Sequence, residues 1–120
     1  MSPRSLPAIV NGGFLEQKAD VVRDRLYARA VVVDDGATRL AIVVVDSCMM
    51  PRDLIDRAKS LARDKTGIPE DRMLVSATHT HTAPACMGAL GSSPDRDYVA
   101  RLPEWIAEAI VNANANLAPA

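Results

Sequence analysis

The chain has 120 residues, 48% of them hydrophobic and 24% charged, which is the composition of one folded domain and not of a disordered tail. Fourteen Lys and Arg nearly balance fifteen Asp and Glu, with no basic run, so the electrostatic footprint of a nucleic-acid-binding protein is missing. No segment reaches the roughly 20 apolar residues of a membrane span, and Met1 to Pro7 lacks the apolar core of a signal peptide.

Residues 1 to 10 combine Pro3 and Pro7 with the short apolar patch Ala8-Ile9-Val10, which predicts an irregular start or a brief edge strand. Asn11-Gly12-Gly13 then reads as a turn, or as a loop in which the backbone comes close to a substrate. The frequent charges from Phe14 to Arg25 predict a surface loop with at most a short helical turn.

Leu26 to Val33 is rich in β-formers, Asp34-Asp35-Gly36-Ala37 is turn chemistry, and Thr38 to Val45 holds the run Leu40-Ala41-Ile42-Val43-Val44-Val45. Together they predict a hairpin. The second strand lacks polar alternation, which predicts a central strand buried on both faces. Asp46-Ser47-Cys48 ends it.

Pro51 suits a first helical turn, and Leu54, Ile55, Ala58, Leu61 and Ala62 recur on one face, with Gly67 and Pro69 placed to stop the helix. Met73 to Ser76 is a second strand, so the pattern is one right-handed βαβ unit with parallel strands. Their carboxyl ends, where ligands bind in open α/β sheets, lie on the same side, one delivering Asp46, Ser47 and Cys48 and the other Thr78 to His81. A small-residue loop from Ala85 to Pro94 follows. Asp95 or Asp97 then caps a terminal helix with the apolar stripe Tyr98, Val99, Leu102, Trp105, Ile106, Ala109, Ile110 and Ala113, in which Pro103 either makes a kink or marks the true first turn.

Ser76-Ala77-Thr78-His79-Thr80-His81-Thr82-Ala83-Pro84 contains the only two histidines. On an extended backbone, side chains two apart share a face, so His79 and His81 are expected to approach one ion or substrate from one side. Imidazole is the commonest protein metal ligand, and a catalytic zinc typically has three protein ligands. The candidates for a third are Asp46, Cys48 and Cys86; Asp46 is also a candidate to orient an imidazole. The two cysteines have neither redox-motif nor zinc-knuckle spacing, and each also reads as a small buried apolar residue. With aromatics at only 3%, no lipid-binding groove is evident.

From Tyr27 to Asp46 the chain reads YARAVVVDDGATRLAIVVVD, and from Pro51 to Pro84 it reads PRDLIDRAKSLARDKTGIPEDRMLVSATHTHTAP. These stretches resemble the N-terminal part of the neutral/alkaline non-lysosomal ceramidases, with SATHTH the most specific piece. The resemblance covers most of residues 8 to 118 and departs at Thr82-Ala83-Pro84, where Ser-Gly-Pro is usual. It implies a zinc-dependent hydrolase that cleaves the N-acyl amide of ceramide, with zinc held by two histidines, a glutamate and a tyrosine. His79 would be a zinc ligand, and His81 the catalytic residue beside the metal, in contact with the substrate or the developing oxyanion.

The family's other ligands have no match in this chain, and the resemblance implies a longer one. Residues 1 to 120 are accordingly expected to be a partial N-terminal catalytic domain. Its expected fold is α/β, a mixed sheet in which a hairpin leads into a right-handed βαβ unit, with a C-terminal helix. Its partners would be an N-acylated lipid or other amide substrate and the missing remainder of the catalytic domain. A non-catalytic metal- or ligand-binding module and a structural remnant are the alternatives.

Overall fold

The computed structural model describes residues 1–3 and 5–119. Its main sheet has three strands, β3 (Ala28–Asp34), β4 (Arg39–Val45) and β5 (Met73–Ala77), in the order β3-β4-β5. A separate antiparallel pair near the amino terminus joins β1 (Ala8–Val10) to β2 (Gln17–Ala19). The brief strand expected at Ala8-Ile9-Val10 is present. The expectation of a plain surface loop from 14 to 25 is corrected, because Gln17–Ala19 finds a partner in β1 that its charged composition does not advertise.

β3 and β4 form the expected hairpin, with Val31 opposite Ile42 and Val33 opposite Leu40. The turn is held by side chains, since Asp34 Oδ1 accepts from Gly36 N at 2.8 Å and Asp35 Oδ1 accepts from Ala37 N and Thr38 N at 2.9 and 2.6 Å. The Arg39 guanidinium, then the Gly36 amide, hold the Asp34 carboxyl below the usual carboxylate range, and the amides of Ala37 and Thr38 do the same for Asp35. From β4 the chain passes into helix α1 (Arg52–Thr66), with Pro51 as its N-cap residue and Gly67 closing it at φ 74°. A 3-10 turn at Glu70–Arg72 leads into β5, which lies parallel to β4 with Val43 beside Val75 and Val45 beside Ala77.

The last element is helix α2 (Arg96–Ala115). Asp95 caps it by accepting from Tyr98 N at 3.1 Å, so Pro103 lies inside the helix and not in its first turn. Helix α2 packs on β3 and β4, and α1 packs against α2. The core between them includes Val43, Val45, Leu54, Ala58, Leu102, Ile106 and Ile110, together with Tyr98 and Ile68.

Both helices meet the sheet face that carries Ala41, Val43 and Val45. The expectation that β4 is buried on both faces is therefore corrected: its burial alternates, and Leu40, Ile42 and Val44 are exposed together with Val31, Val33 and Leu74. An unbroken aliphatic run does not distinguish a strand covered twice from one covered once.

Candidate metal-binding site

Parallel pairing of β4 and β5 brings their carboxyl ends side by side, and Thr78 N donates to Val45 O at 2.9 Å just beyond the last rung. β5 stops at Ala77, and His79 adopts φ 62°, in the left-handed region. The strand thus ends before the histidines, and the loop backbone, not the alternation of an extended strand, sets how the two imidazoles approach each other. Histidine enters this region more readily than most residues, but holding it there costs on the order of 1–3 kcal/mol. The turn brings the rings together: His79 and His81 meet edge to face, centroids 4.8 Å apart at an interplanar angle of 83°.

Each ring is oriented by a backbone carbonyl. His79 Nδ1 donates to Cys48 O at 2.9 Å, and His81 Nδ1 donates to Gly12 O at 3.2 Å. A carbonyl oxygen only accepts, so both bonds require the proton on Nδ1, and the neutral rings keep their lone pairs on Nε2. Metal-binding histidines are usually held this way, the second nitrogen donating to a carbonyl or carboxylate. Asp46 does not have the expected orienting part at His79 Nδ1. Its carboxylate accepts from Tyr27 N at 2.9 Å and from Arg29 at 3.1 Å.

Gly12 was legible only as a turn or a close-approach loop, and the structure shows the close approach. A β-carbon at Gly12, whose φ is 121°, would lie 2.2 Å from His81 Nδ1. The segment before it is fastened to the loop after the histidines: Ala85 N donates to Ile9 O at 2.7 Å, Ser92 Oγ to Val10 O at 3.1 Å, and Asn11 Nδ2 to Met87 O at 3.2 Å. β1 thus acts as a strap across the site.

Of the three candidates for a further ligand, the structure brings Cys48 to the histidines. Its Sγ lies 3.8 Å from His79 Nδ1, and donor atoms of Cys48, His79 and His81 all fall within 4.8 Å of one another. Cys48 is buried and both histidines are exposed, so the group opens to solvent on the imidazole side. Burial pushes the Cys48 thiol up, so at neutral pH it keeps its proton until a cation displaces it. Cys86 lies elsewhere, its Sγ 3.4 Å from Ser47 Oγ and 3.5 Å from Pro84 O, and burial pushes this thiol up as well. Two imidazoles and a thiol form a donor set that suits zinc.

A cavity of about 440 Å³ adjoins the histidine loop at Thr82 and Pro84. Leu6, Val10, Val21, Val22 and Leu26 supply much of its wall. Arg23, Asp24 and Thr82 complete the lining, so the wall is mixed, with aliphatic and not aromatic side chains supplying its apolar part.

A two-layer α/β chain with a histidine and cysteine cluster at the carboxyl edge of its parallel strands is thus defined, and that group can hold a metal ion. The profile of the neutral/alkaline non-lysosomal ceramidase N-terminal domain matches residues 12–120, and the chain belongs to that family. No solved structure matches it. Family membership supports a ceramidase-type hydrolase and implies a lipid amide as substrate. Among the described residues no helix is long and apolar enough to cross a membrane.

Proposed function

We propose that this chain supplies the metal-binding edge of a zinc-dependent N-acyl amide hydrolase that converts ceramide to sphingosine and a fatty acid. In this reading residues 1 to 120 are part of an N-terminal catalytic domain, and the remaining ligands come from outside them. The observation that carries it is the pair of imidazoles locked by the carbonyls of Cys48 and Gly12, with Nε2 of each left to accept, in a chain of the ceramidase family.

His79 would bind the metal through Nε2, its Nδ1–H staying on the Cys48 carbonyl. Zinc, when bound, polarises an amide carbonyl and acidifies water to near neutral pH. His81 is the catalytic residue. Its Nε2 accepts a proton as the nucleophile forms, and the resulting imidazolium, steadied by Gly12 O, faces the developing oxyanion and can return the proton to the leaving amine. The aliphatic cavity beside Thr82 and Pro84 offers room for an apolar chain next to this chemistry.

The test is a transplant. Residues 12 to 120 replace the corresponding segment of an active family enzyme, and release of fatty acid from a fluorescent N-acyl sphingosine is followed with added zinc. Zinc-dependent turnover that His79→Ala abolishes is expected. A folded, zinc-loaded chimaera with no turnover would overturn the reading.

A further inference from the structure

We infer that Phe14 and Leu15, in the loop that joins β1 to β2, dock this chain on the surface of a zwitterionic lipid bilayer, from which the site takes its N-acyl lipid. The inference rests on the proposed reading of the substrate class and adds the surface through which that substrate arrives.

Exposure is the first argument. Phe14, the chain's only phenylalanine, is 86% exposed and Leu15 beside it 78%, more than any other large hydrophobic side chain among the described residues. Single apolar side chains on a surface are ordinary, whereas two adjacent ones at the turn of a hairpin mark a contact with another apolar phase.

Construction is the second. The backbone of this loop is held while its two apolar side chains stand free in solvent. The Glu16 carboxylate accepts from Ser93 N at 3.1 Å, and Asn11 Nδ2 donates to Met87 O at 3.2 Å. Gly91 has no room for a β-carbon, because the Phe14 carbonyl lies against it. A tip fixed in this way binds an apolar phase without first having to be ordered.

Position is the third. Gly12, whose carbonyl orients His81, is two residues from Phe14, so the tip and the support of the catalytic imidazole belong to one short loop. The same hairpin lines the 440 Å³ cavity through Ala8, Val10 and Ala19, and Val21, 73% exposed, stands at its mouth. An acyl chain that leaves a bilayer beside the hairpin meets apolar wall from Val21 to Val10 and to Pro84 of the histidine loop.

Charge and substrate decide the kind of partner. Between Phe14 and Arg25, Lys18, Arg23 and Arg25 balance Glu16, Asp20 and Asp24, so no excess charge steers this segment to an anionic headgroup cluster or to a charged protein surface. The contact is therefore apolar. Family membership implies a lipid amide as substrate, and such a molecule resides in the bilayer, which favours a bilayer over a protein groove.

The experiment is co-sedimentation of the 120-residue chain with phosphatidylcholine vesicles. Binding is expected, and added phosphatidylserine or salt should change it little. Phe14→Ser together with Leu15→Ser should lower the partition by about 10- to 100-fold, whereas Val31→Ser together with Leu74→Ser, on the exposed sheet face, should leave it within about 2-fold. Tryptophan emission in Phe14→Trp should shift to the blue on vesicles and be quenched by brominated acyl chains, beyond the background that Trp105 gives in the parent. In the transplanted enzyme, the Phe14 and Leu15 double variant should slow hydrolysis of vesicle-embedded N-acyl sphingosine far more than hydrolysis of the same substrate dispersed in detergent.

No vesicle binding, binding that survives in the double variant of the tip, or binding that the sheet-face variant abolishes would overturn the inference. So would binding that needs anionic lipid and vanishes in salt. Emission from position 14 that is already blue-shifted in the transplanted enzyme before vesicles are added would show another part of the protein covering the tip, and would overturn it too. Tip-dependent binding with an inactive, zinc-loaded transplant supports the docking and removes only the hydrolase reading, whereas an active transplant that does not bind vesicles removes only the docking.

Discussion

His81 Nδ1 donates to the carbonyl oxygen of Gly12 at 3.2 Å across a sequence separation of 69 residues. The dihistidine motif is therefore finished by a glycine that stands outside it. The contact depends on the missing side chain, because a β-carbon at Gly12 would fall 2.2 Å from the same nitrogen.

Gly12→Ala is expected to displace the His81 ring and to lower zinc-dependent turnover of the transplanted enzyme by about 10- to 100-fold, the usual cost of losing an orienting partner, with zinc affinity, which rests on His79, much less changed. Fatty-acid release and zinc calorimetry of both forms measure it. Gly36→Ala is the control, since Gly36 also has a positive φ, 86°, but has open space around its missing β-carbon. That variant should lose roughly 1 kcal/mol of stability and no turnover.

Zinc affinity should fall as the pH is lowered through the range in which imidazole takes up a proton, because only the neutral ring coordinates. His79→Ala should reduce affinity at every pH and flatten the dependence. Equal affinities for parent and variant would exclude His79 from the site.

The 120-residue chain alone is expected not to hydrolyse N-acyl amides at an enzymatic rate, even when loaded with zinc. Both imidazoles are exposed, and electrostatic stabilisation of a developing oxyanion is strong only where water is excluded. Fatty-acid release from a fluorescent N-acyl sphingosine, with His79→Ala alongside, is the assay. Turnover that the variant abolishes would show that the open site suffices.

Tyr98 is buried against Trp105, ring centroids 5.5 Å apart, and its hydroxyl has no hydrogen-bond partner among the described residues. Tyr98→Phe removes that hydroxyl and keeps the ring, so a gain of about 1 kcal/mol is expected, or roughly 4 °C in Tm. Burial raises the phenol's pKa well above its ordinary value. Above about pH 10 the unfolded phenol ionises while the folded one keeps its proton, so the parent loses stability as pH rises and the Phe variant lacks this part of the slope. Leu102→Ala, at a fully buried position, should cost about 2–5 kcal/mol in the same denaturant titrations.

Local pattern carried much of the architecture. The Asp-Asp-Gly turn, the one-face spacing from Leu54 to Ala62, the Gly67 stop and the short strand at Met73 each appear where their chemistry predicts. From these alone the carboxyl ends of β4 and β5 could be placed together, and with them Cys48 and His79. What pattern could not convey was which partner each group selects. Asp46 turned to Arg29 and the Tyr27 amide, and the His79 ring took a carbonyl instead. The exposed Ile42 and Leu74 are as aliphatic as the buried Val43, so composition could not say that both helices lie on one side. The β1 strap was unreadable because its bonds join positions 9 to 12 with positions 81 to 92.

Those same bonds set a timetable for folding. The β3–β4 hairpin closes over a short turn, whereas the strap must wait until Pro84, Met87 and Ser92 have been positioned behind β5. Contacts of such long sequence separation carry a loop-closure cost and tend to form late. The two imidazoles are accordingly expected to acquire their shared orientation late in folding, and hydrogen exchange should show the strap opening and freeing His81 while the hairpin and its helices stay protected.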